Sequence, residues 1–184
     1  MNITSERLYL REITWDDIQQ IHELHSVPEV EEFNTIGIPE NLDVTKKLMT
    51  PDIKNQKLKV RTRFCWCIFR REDNRFIGIA GMSNSADRFK IGEIYYKLHP
   101  EYWGNGYATE VARAQIQFGF QTLKLHRVEA GVATENYASI RVLEKAGMKN
   151  EGVRRKILPI RGKWKDNYHF ATVEGDHLNC IGNI

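Results

Sequence analysis

The residues best placed to do chemistry lie at Gly104-Asn105-Gly106, between a segment that alternates like a strand and one with helical spacing. Glycines at such a junction let the backbone approach a ligand, and the unpaired N–H groups at the start of the helix can hold phosphate oxygens. The loop lacks the Lys-Ser/Thr of a P-loop and the third glycine and downstream acid of a dinucleotide site, so alone it reads equally as a structural turn. Cys65 and Cys67 are a second candidate. In Phe-Cys-Trp-Cys-Ile-Phe, strand alternation puts both thiols on one face and Phe64, Trp66 and Ile68 on the other. A metal pair needs two further ligands, and no second Cys or His cluster has the usual spacing, so buried structural thiols and no metal are expected. Three cysteines do not make a disulfide framework in a chain of 184 residues.

The period of the apolar residues says what must position the loop. Glu6 to Glu12 alternates as a first strand, and Thr14-Trp-Asp-Asp17 resembles a capping box. A helix striped by Ile18, Ile21, His22 and His25 is expected to run to about Pro28, with a short helix from Leu42 to Met49 ending before Pro51. Arg63 to Arg70 and Arg75 to Met82 read as a hairpin turned at Glu72-Asp73-Asn74, and Ile91 to Leu98 as the next strand, with Ile94, Tyr96 and Leu98 on one face. After the glycine loop, Tyr107, Val111, Ala114 and Phe118 mark a helix. Arg127 to Thr134 is a strand. Asn136 is placed to cap a helix that packs Ile140 and Leu143 and ends at Gly147, before strands near Lys149 to Leu158 and Tyr168 to Glu174. The sum is a mixed α/β (α+β) sheet with an antiparallel first half and a single β-α-β crossover, which argues against a doubly wound nucleotide fold.

Leu, Ile, Val and Phe supply 48 of 184 residues, well above the roughly 20% below which charged chains tend to stay disordered. No repeat or linker divides the sequence, so residues 1–184 are read as one domain. The longest strongly apolar runs, such as Phe64 to Phe69, are six residues. A membrane span needs about 18 to 20, so no membrane partner is expected. The opening Met1-Asn-Ile-Thr-Ser-Glu-Arg7 has no signal-peptide pattern, and a cytoplasmic location is expected. The net charge of +3 conceals a split: residues 1–52 hold 11 acidic and 4 basic residues, and the remainder 13 acidic and 23 basic. Two partners of opposite sign, or two solvated faces, account for it.

The stretch from Gly92 to Glu110, followed by Leu125-His-Arg-Val-Glu-Ala130 and by Asn136 to Met148, resembles the GNAT acyltransferase superfamily. Within it the pattern is similar to the RimJ/RimL-type N-acetyltransferases, which include ribosomal-protein-alanine acetyltransferases. Thr4-Ser-Glu-Arg-Leu-Tyr-Leu-Arg11 and Gly162-Lys-Trp-Lys-Asp166 extend the likeness over nearly the whole chain. The resemblance implies a GNAT fold, with a mixed central sheet, an antiparallel N-terminal part and a splayed parallel strand pair flanked by helices. It implies an acetyl-CoA-dependent N-acetyltransferase without a metal. The superfamily's phosphate loop, Gln/Arg-x-x-Gly-x-Gly/Ala, falls on Trp103-Gly104-Asn105-Gly106-Tyr107-Ala108, with Trp103 in place of Gln/Arg. By resemblance, backbone N–H groups from Gly104 to Thr109 hold the pyrophosphate, and backbone groups of Tyr96 and Leu98 pair with the pantetheine arm, one N–H polarising the thioester carbonyl.

The tyrosine acid of many GNAT enzymes is replaced here by Leu143, which cannot donate a proton. The RimJ/RimL pattern instead implies that Ser139 contacts the CoA sulfur, with Asn136 at the pantetheine or the helix cap; Ser139 as an N3 polar residue supporting that cap is the alternative. Glu93, in the strand before the loop, is either the general base, acting directly or through water, or an ordinary exposed carboxylate. A modest base inventory suits an α-amine of pKa about 7.7 to 8.0 better than a lysine near 10.4. Glu29, Glu31 and Glu32 fall where GNAT enzymes form an acceptor wall and are expected to favour a cationic amine. The seven basic residues from Lys149 to Lys165 read as a solvated edge or a CoA-phosphate neighbourhood rather than a nucleic-acid surface. The expected acceptor is thus a protein N-terminus, with a small polyamine or amino compound as the same-fold alternative and a non-catalytic acyl-CoA-binding regulatory module as the alternative from another class. A homo-oligomer is compatible with the sequence.

Overall fold

The computed structural model describes residues 1–178. The chain enters through β1 (Ile3–Thr4) and β2 (Leu8–Glu12), passes through α1 (Ile18–His25) and α2 (Leu42–Asn55), and forms the meander β3 (Arg63–Arg70), β4 (Phe76–Asn84) and β5 (Ile91–Leu98). α3 (Tyr107–Gln121), β6 (Arg127–Ala133), α4 (Tyr137–Lys145), β7 (Lys149–Ile160), β8 (Lys163–Val173) and α5 (Glu174–Leu178) follow. Eight strands form one sheet in the order β1-β2-β3-β4-β5-β6-β8-β7. Every neighbouring pair is antiparallel except β5 and β6. That parallel pair registers only from Ile91 opposite Arg127 to Glu93 opposite Glu129, although β5 runs on to Leu98 and β6 to Ala133. Beyond Glu93 the two strands part. This is the expected mixed sheet with a splayed parallel pair.

Strand alternation sorts β3 between two cores. Phe64, Trp66 and Ile68 join Met82, Ile94, Val111, Ile116 and Phe118 on the face covered by α3 and α4. Cys65 and Cys67 join Ile79, Ile21, Leu24, Met49 and Ile53 beneath α1 and α2. Trp66 is fully buried, lies 5.9 Å from the Phe64 ring and 5.3 Å from Phe118, and donates its indole N–H to the Met1 carbonyl at 2.7 Å. Both thiols are buried, and burial pushes Cys65 up to about 12, so it is a packing group at neutral pH.

Four elements differ in their bounds from the sequence expectation. α1 ends at His25, short of Pro28, after a 3-10 turn at Trp15–Asp17. α2 does not stop before Pro51; it runs through it to Asn55. A proline removes one helical hydrogen bond, and anchors beyond it compensate: Ile53 is in the core, Asp52 accepts from Arg63 Nε at 2.9 Å, and Asn55 Oδ1 accepts from the N–H groups of Thr62 and Arg63 at 3.0 and 3.1 Å. β7 and β8 are longer than their pattern suggested. β7 is exposed on both faces almost to its end and carries register shifts between Asn150 and Val153 and between Arg154 and Leu158, so no clean alternation marks it. Among the described residues, no helix is long and apolar enough to cross a membrane.

Asp17 ties β2 to α1: its carboxylate accepts from the Thr14 N–H at 2.7 Å, the Thr14 hydroxyl at 2.9 Å and the Arg11 guanidinium at 2.7 and 3.0 Å. Burial alone would raise its pKa, but the Arg11 and Thr14 bonds outweigh it and hold Asp17 below its ordinary value. A depressed carboxylate pKa gives stability that is present above the unfolded value and lost as pH falls through the folded one. Asp17→Asn is therefore expected to cost about 2 to 4 kcal/mol at pH 7. Urea denaturation should show that difference shrinking below about pH 4; a gap unchanged at pH 3 would contradict the assignment.

Candidate active site

β5 ends at Leu98, a short turn at Pro100–Tyr102 reverses the chain, and the glycine loop delivers it to α3. Gly104 and Gly106 have φ of 76° and 79°, where a Cβ is strained. Among the described residues nothing lies within 4 Å of a Cβ added at Gly104, so conformation and not crowding requires glycine there. Gly106 is the N-cap of α3 and offers no capping side chain, while residues 103–106 are exposed and 107–109 half-buried. The first N–H groups of a helix have no partner within it. They make the start of α3 a donor set suited to a diphosphate such as that of CoA. Trp103, at the place of the usual Gln/Arg, braces the loop: its indole N–H donates to the Leu98 carbonyl at 2.8 Å, and Asn105 Nδ2 donates to the Trp103 carbonyl at 3.0 Å. The Leu98 carbonyl, expected to be open to a pantetheine arm, is thus already engaged.

Where β5 and β6 part, Tyr96 on β5 faces Ser139 on α4, with the two hydroxyl oxygens 2.8 Å apart. Asn136 Oδ1 accepts from the Ser139 N–H at 3.1 Å, so Asn136 caps α4 and the Ser139 hydroxyl is left to Tyr96. Burial pushes the Tyr96 phenol up to about 12 against the opposing Ser139 bond, so it stays protonated at neutral pH. The resemblance assigns a role only to the backbone of Tyr96. Alternation puts its side chain on one face with Ile94 and Leu98, but nothing in the sequence reports the partner on α4. Leu143 is buried in the apolar core. A further residue escaped the sequence: Gln115, fully buried on α3, donates to the carbonyls of Gly81 at 2.7 Å and Tyr95 at 3.2 Å, fixing the helix across β4 and β5.

Glu93, Tyr95 and Lys97 occupy the other face of β5. Tyr95 lies over Gly81, where an added Cβ would meet its ring at 2.2 Å, and its hydroxyl donates to Cys65 Sγ at 3.3 Å. Glu93 is exposed, and its carboxylate has no hydrogen bond or ion pair among the described residues. Its register partner Glu129 accepts from Arg127 Nε at 2.5 Å and lies 3.4 Å from His169 Nε2. Glu93 and the Tyr96–Ser139 pair are therefore on opposite faces of one strand.

The acidic trio is not a uniform wall. Glu29 and Glu32 are exposed, but Glu31 is buried, accepts from Lys97 Nζ at 2.5 Å and lies 3.5 Å from His25 Nδ1. Burial raises Glu31 and lowers Lys97, each opposed by attraction to the other, and burial with Lys97 pushes His25 down to about 3, so the histidine is neutral. The expectation that all three glutamates meet the acceptor's charge is corrected at Glu31, whose charge is met from within. The basic stretch forms the β7–β8 edge, where Lys149 pairs with Asp176 at 2.7 Å and Lys165 with Glu135 at 2.7 Å.

Residues 7–149 match the family described as an acetyltransferase (GNAT) domain. The chain is 32% identical over 174 residues to the uncharacterised N-acetyltransferase YoaA of Bacillus subtilis, covering 94% of this chain and 96% of that protein. It is 27% identical over 123 residues to the ribosomal protein uS5-alanine N-acetyltransferase of Escherichia coli, covering 66% of this chain and 63% of that one. The structure of spermidine N-acetyltransferase from Vibrio cholerae in complex with CoA and spermine superposes with a TM-score of 0.83 over 95% of this chain and 100% of that one, at 20% identity, and so shares the fold. With a glycine loop at the start of α3, a parallel pair that opens after three residues and this match across most of its length, the chain belongs to the GNAT acetyltransferase family and is an N-acetyltransferase.

Proposed function

We propose that this enzyme is of the RimJ/RimL type and transfers the acetyl group of acetyl-CoA to the α-amine of a protein N-terminus. The observation that carries the reading is the gap between β5 and β6, with the glycine loop at one end and hydroxyl and carboxylate groups on its two sides. The N–H groups from Gly104 to Thr109 hold the pyrophosphate, and the free backbone groups of the Tyr96–Leu98 segment pair with the pantetheine. The amine nitrogen bonds to the thioester carbonyl carbon, the C–S bond breaks, and CoA leaves as the thiolate. Ser139, held by Tyr96, hydrogen-bonds that thiolate. The Tyr96 phenol, raised to about 12, is too weak an acid to protonate a thiolate whose conjugate acid has a pKa near 8.5, so the pair acts as a donor and solvent supplies the proton. Glu93, on the opposite face, takes the proton lost by the amine, directly or through water.

An α-amine of pKa about 7.7 to 8.0 is roughly a tenth neutral at pH 7, so a single exposed carboxylate is base enough. A small polyamine is the second reading, supported by the acidic residues near α1. The Lys97–Glu31 pair weighs against it, because it removes one carboxylate from recognition of a second cationic centre.

Free-thiol release from acetyl-CoA by the purified protein, with N-terminal peptides, spermidine and no acceptor compared, tests the function. Peptide-dependent release is expected; release with spermidine alone would favour the polyamine, and no acceptor-dependent release would reject transfer. Ser139→Ala should lower kcat about 10- to 100-fold with CoA affinity unchanged, and Tyr96→Phe should lower it less. An unaltered kcat in Ser139→Ala would leave that hydroxyl without a catalytic role. Glu93→Gln should lower kcat/KM about a hundredfold and change the shape of the pH–rate profile; a profile superposable on the wild type would remove Glu93 as the base.

A further inference from the structure

We infer that Arg7 is a positioning residue of the phosphate loop, whose guanidinium sits between the Glu110 carboxylate and the Asn105 carbonyl and cancels a negative charge that α3 carries in its own first turn. This rests on the reading of the loop as the acetyl-CoA site. Glu110 Oε1 accepts from the Ser5 hydroxyl and the Arg7 N–H, both at 2.7 Å, and Oε2 accepts from Arg7 Nε at 2.7 Å. Arg7 Nη1 reaches across to the Asn105 carbonyl at 3.0 Å, its Nη2 lies 3.5 Å from a Cβ built on Gly106, and its guanidinium covers the Tyr107 ring at 4.6 Å. Arg71 secures the segment from below, donating to the carbonyls of Ser5 at 3.1 Å and Glu6 at 2.8 Å.

A carboxylate in the first turn of a helix draws on the same positive potential that would hold a phosphate. Burial alone would raise the Glu110 pKa, but the Arg7 N–H, the Ser5 hydroxyl and the Arg7 guanidinium hold it below its ordinary value, so it is ionised at neutral pH. Unpaired, it would compete with and repel a pyrophosphate bound at residues 104–109. Paired with Arg7, its charge is cancelled by the guanidinium that lies between helix and loop, and the positive potential is restored. The opening segment Ser5-Glu6-Arg7, far from the loop in sequence, is thereby part of the cofactor site.

Calorimetric titration with CoA separates charge compensation from a mechanical clamp. Arg7→Ala should bind CoA about tenfold more weakly, Arg7→Lys should fall between it and the wild type, and the double variant Arg7→Ala/Glu110→Gln should return to within about threefold of the wild type, because the uncompensated charge is gone. A double variant as weak as Arg7→Ala, or an Arg7→Ala that binds within about twofold of the wild type, would overturn the inference. Glu110→Gln alone keeps the arginine and should bind CoA at least as tightly as the wild type; weaker binding would overturn it even if Arg7→Ala failed to fold. A wild-type protein that binds no CoA would overturn both this inference and the reading of the loop.

Discussion

The structure depends on a constraint of sheet geometry: two parallel strands that stay paired for only three residues and then diverge. A strand that leaves its partner exposes backbone N–H and C=O groups, which need partners. On β5 one of them, the Leu98 carbonyl, is taken up internally by Trp103. What remains open is a slot between two ordered edges. The aromatic cluster around Trp66 and the helix α3 pack behind it.

The two faces of β5 carry different groups. On one, the Tyr96–Ser139 contact joins β5 to α4 across the opening and presents hydroxyl donors. On the other, Glu93 stands free at the point of divergence while Lys97, two pleats away, is consumed by Glu31. In the proposed reaction, an acyl group held there meets a donor for its leaving group from one side and an incoming amine from the other. The loop at the end of the slot is held to β5 by Trp103 and shaped by the left-handed backbone of Gly104 and Gly106, and Arg7, from the link between β1 and β2, reaches its Asn105 carbonyl.

Much of this was legible in the sequence because it is periodic or punctuated. The alternation of β3 sorted its thiols from its aromatics, Asn136 announced the cap of α4, and the two glycines marked a turn that L-residues avoid. What escaped depends on contacts between distant segments. Neither Tyr96 nor Gln115 departs from the pattern of its own element, and Glu31 looks like its exposed neighbours until the fold brings Lys97 beneath it. Pro51 misled for a related reason: the local rule for proline is sound, but Asp52 and Asn55 hold the next turn through bonds to β3 that no helical window contains. The end of β7 is not legible for the opposite reason: an edge exposed on both faces has no alternation to read.

In the proposed reading the slot and the start of α3 form a CoA site built from backbone. Amide hydrogen exchange with and without CoA measures this directly. Slowed exchange is expected at the N–H groups from Gly104 to Thr109 and along β5 near Tyr96 to Leu98, with the β7–β8 edge unchanged. Protection confined to that basic edge, or no protection at residues 104–109, would contradict it.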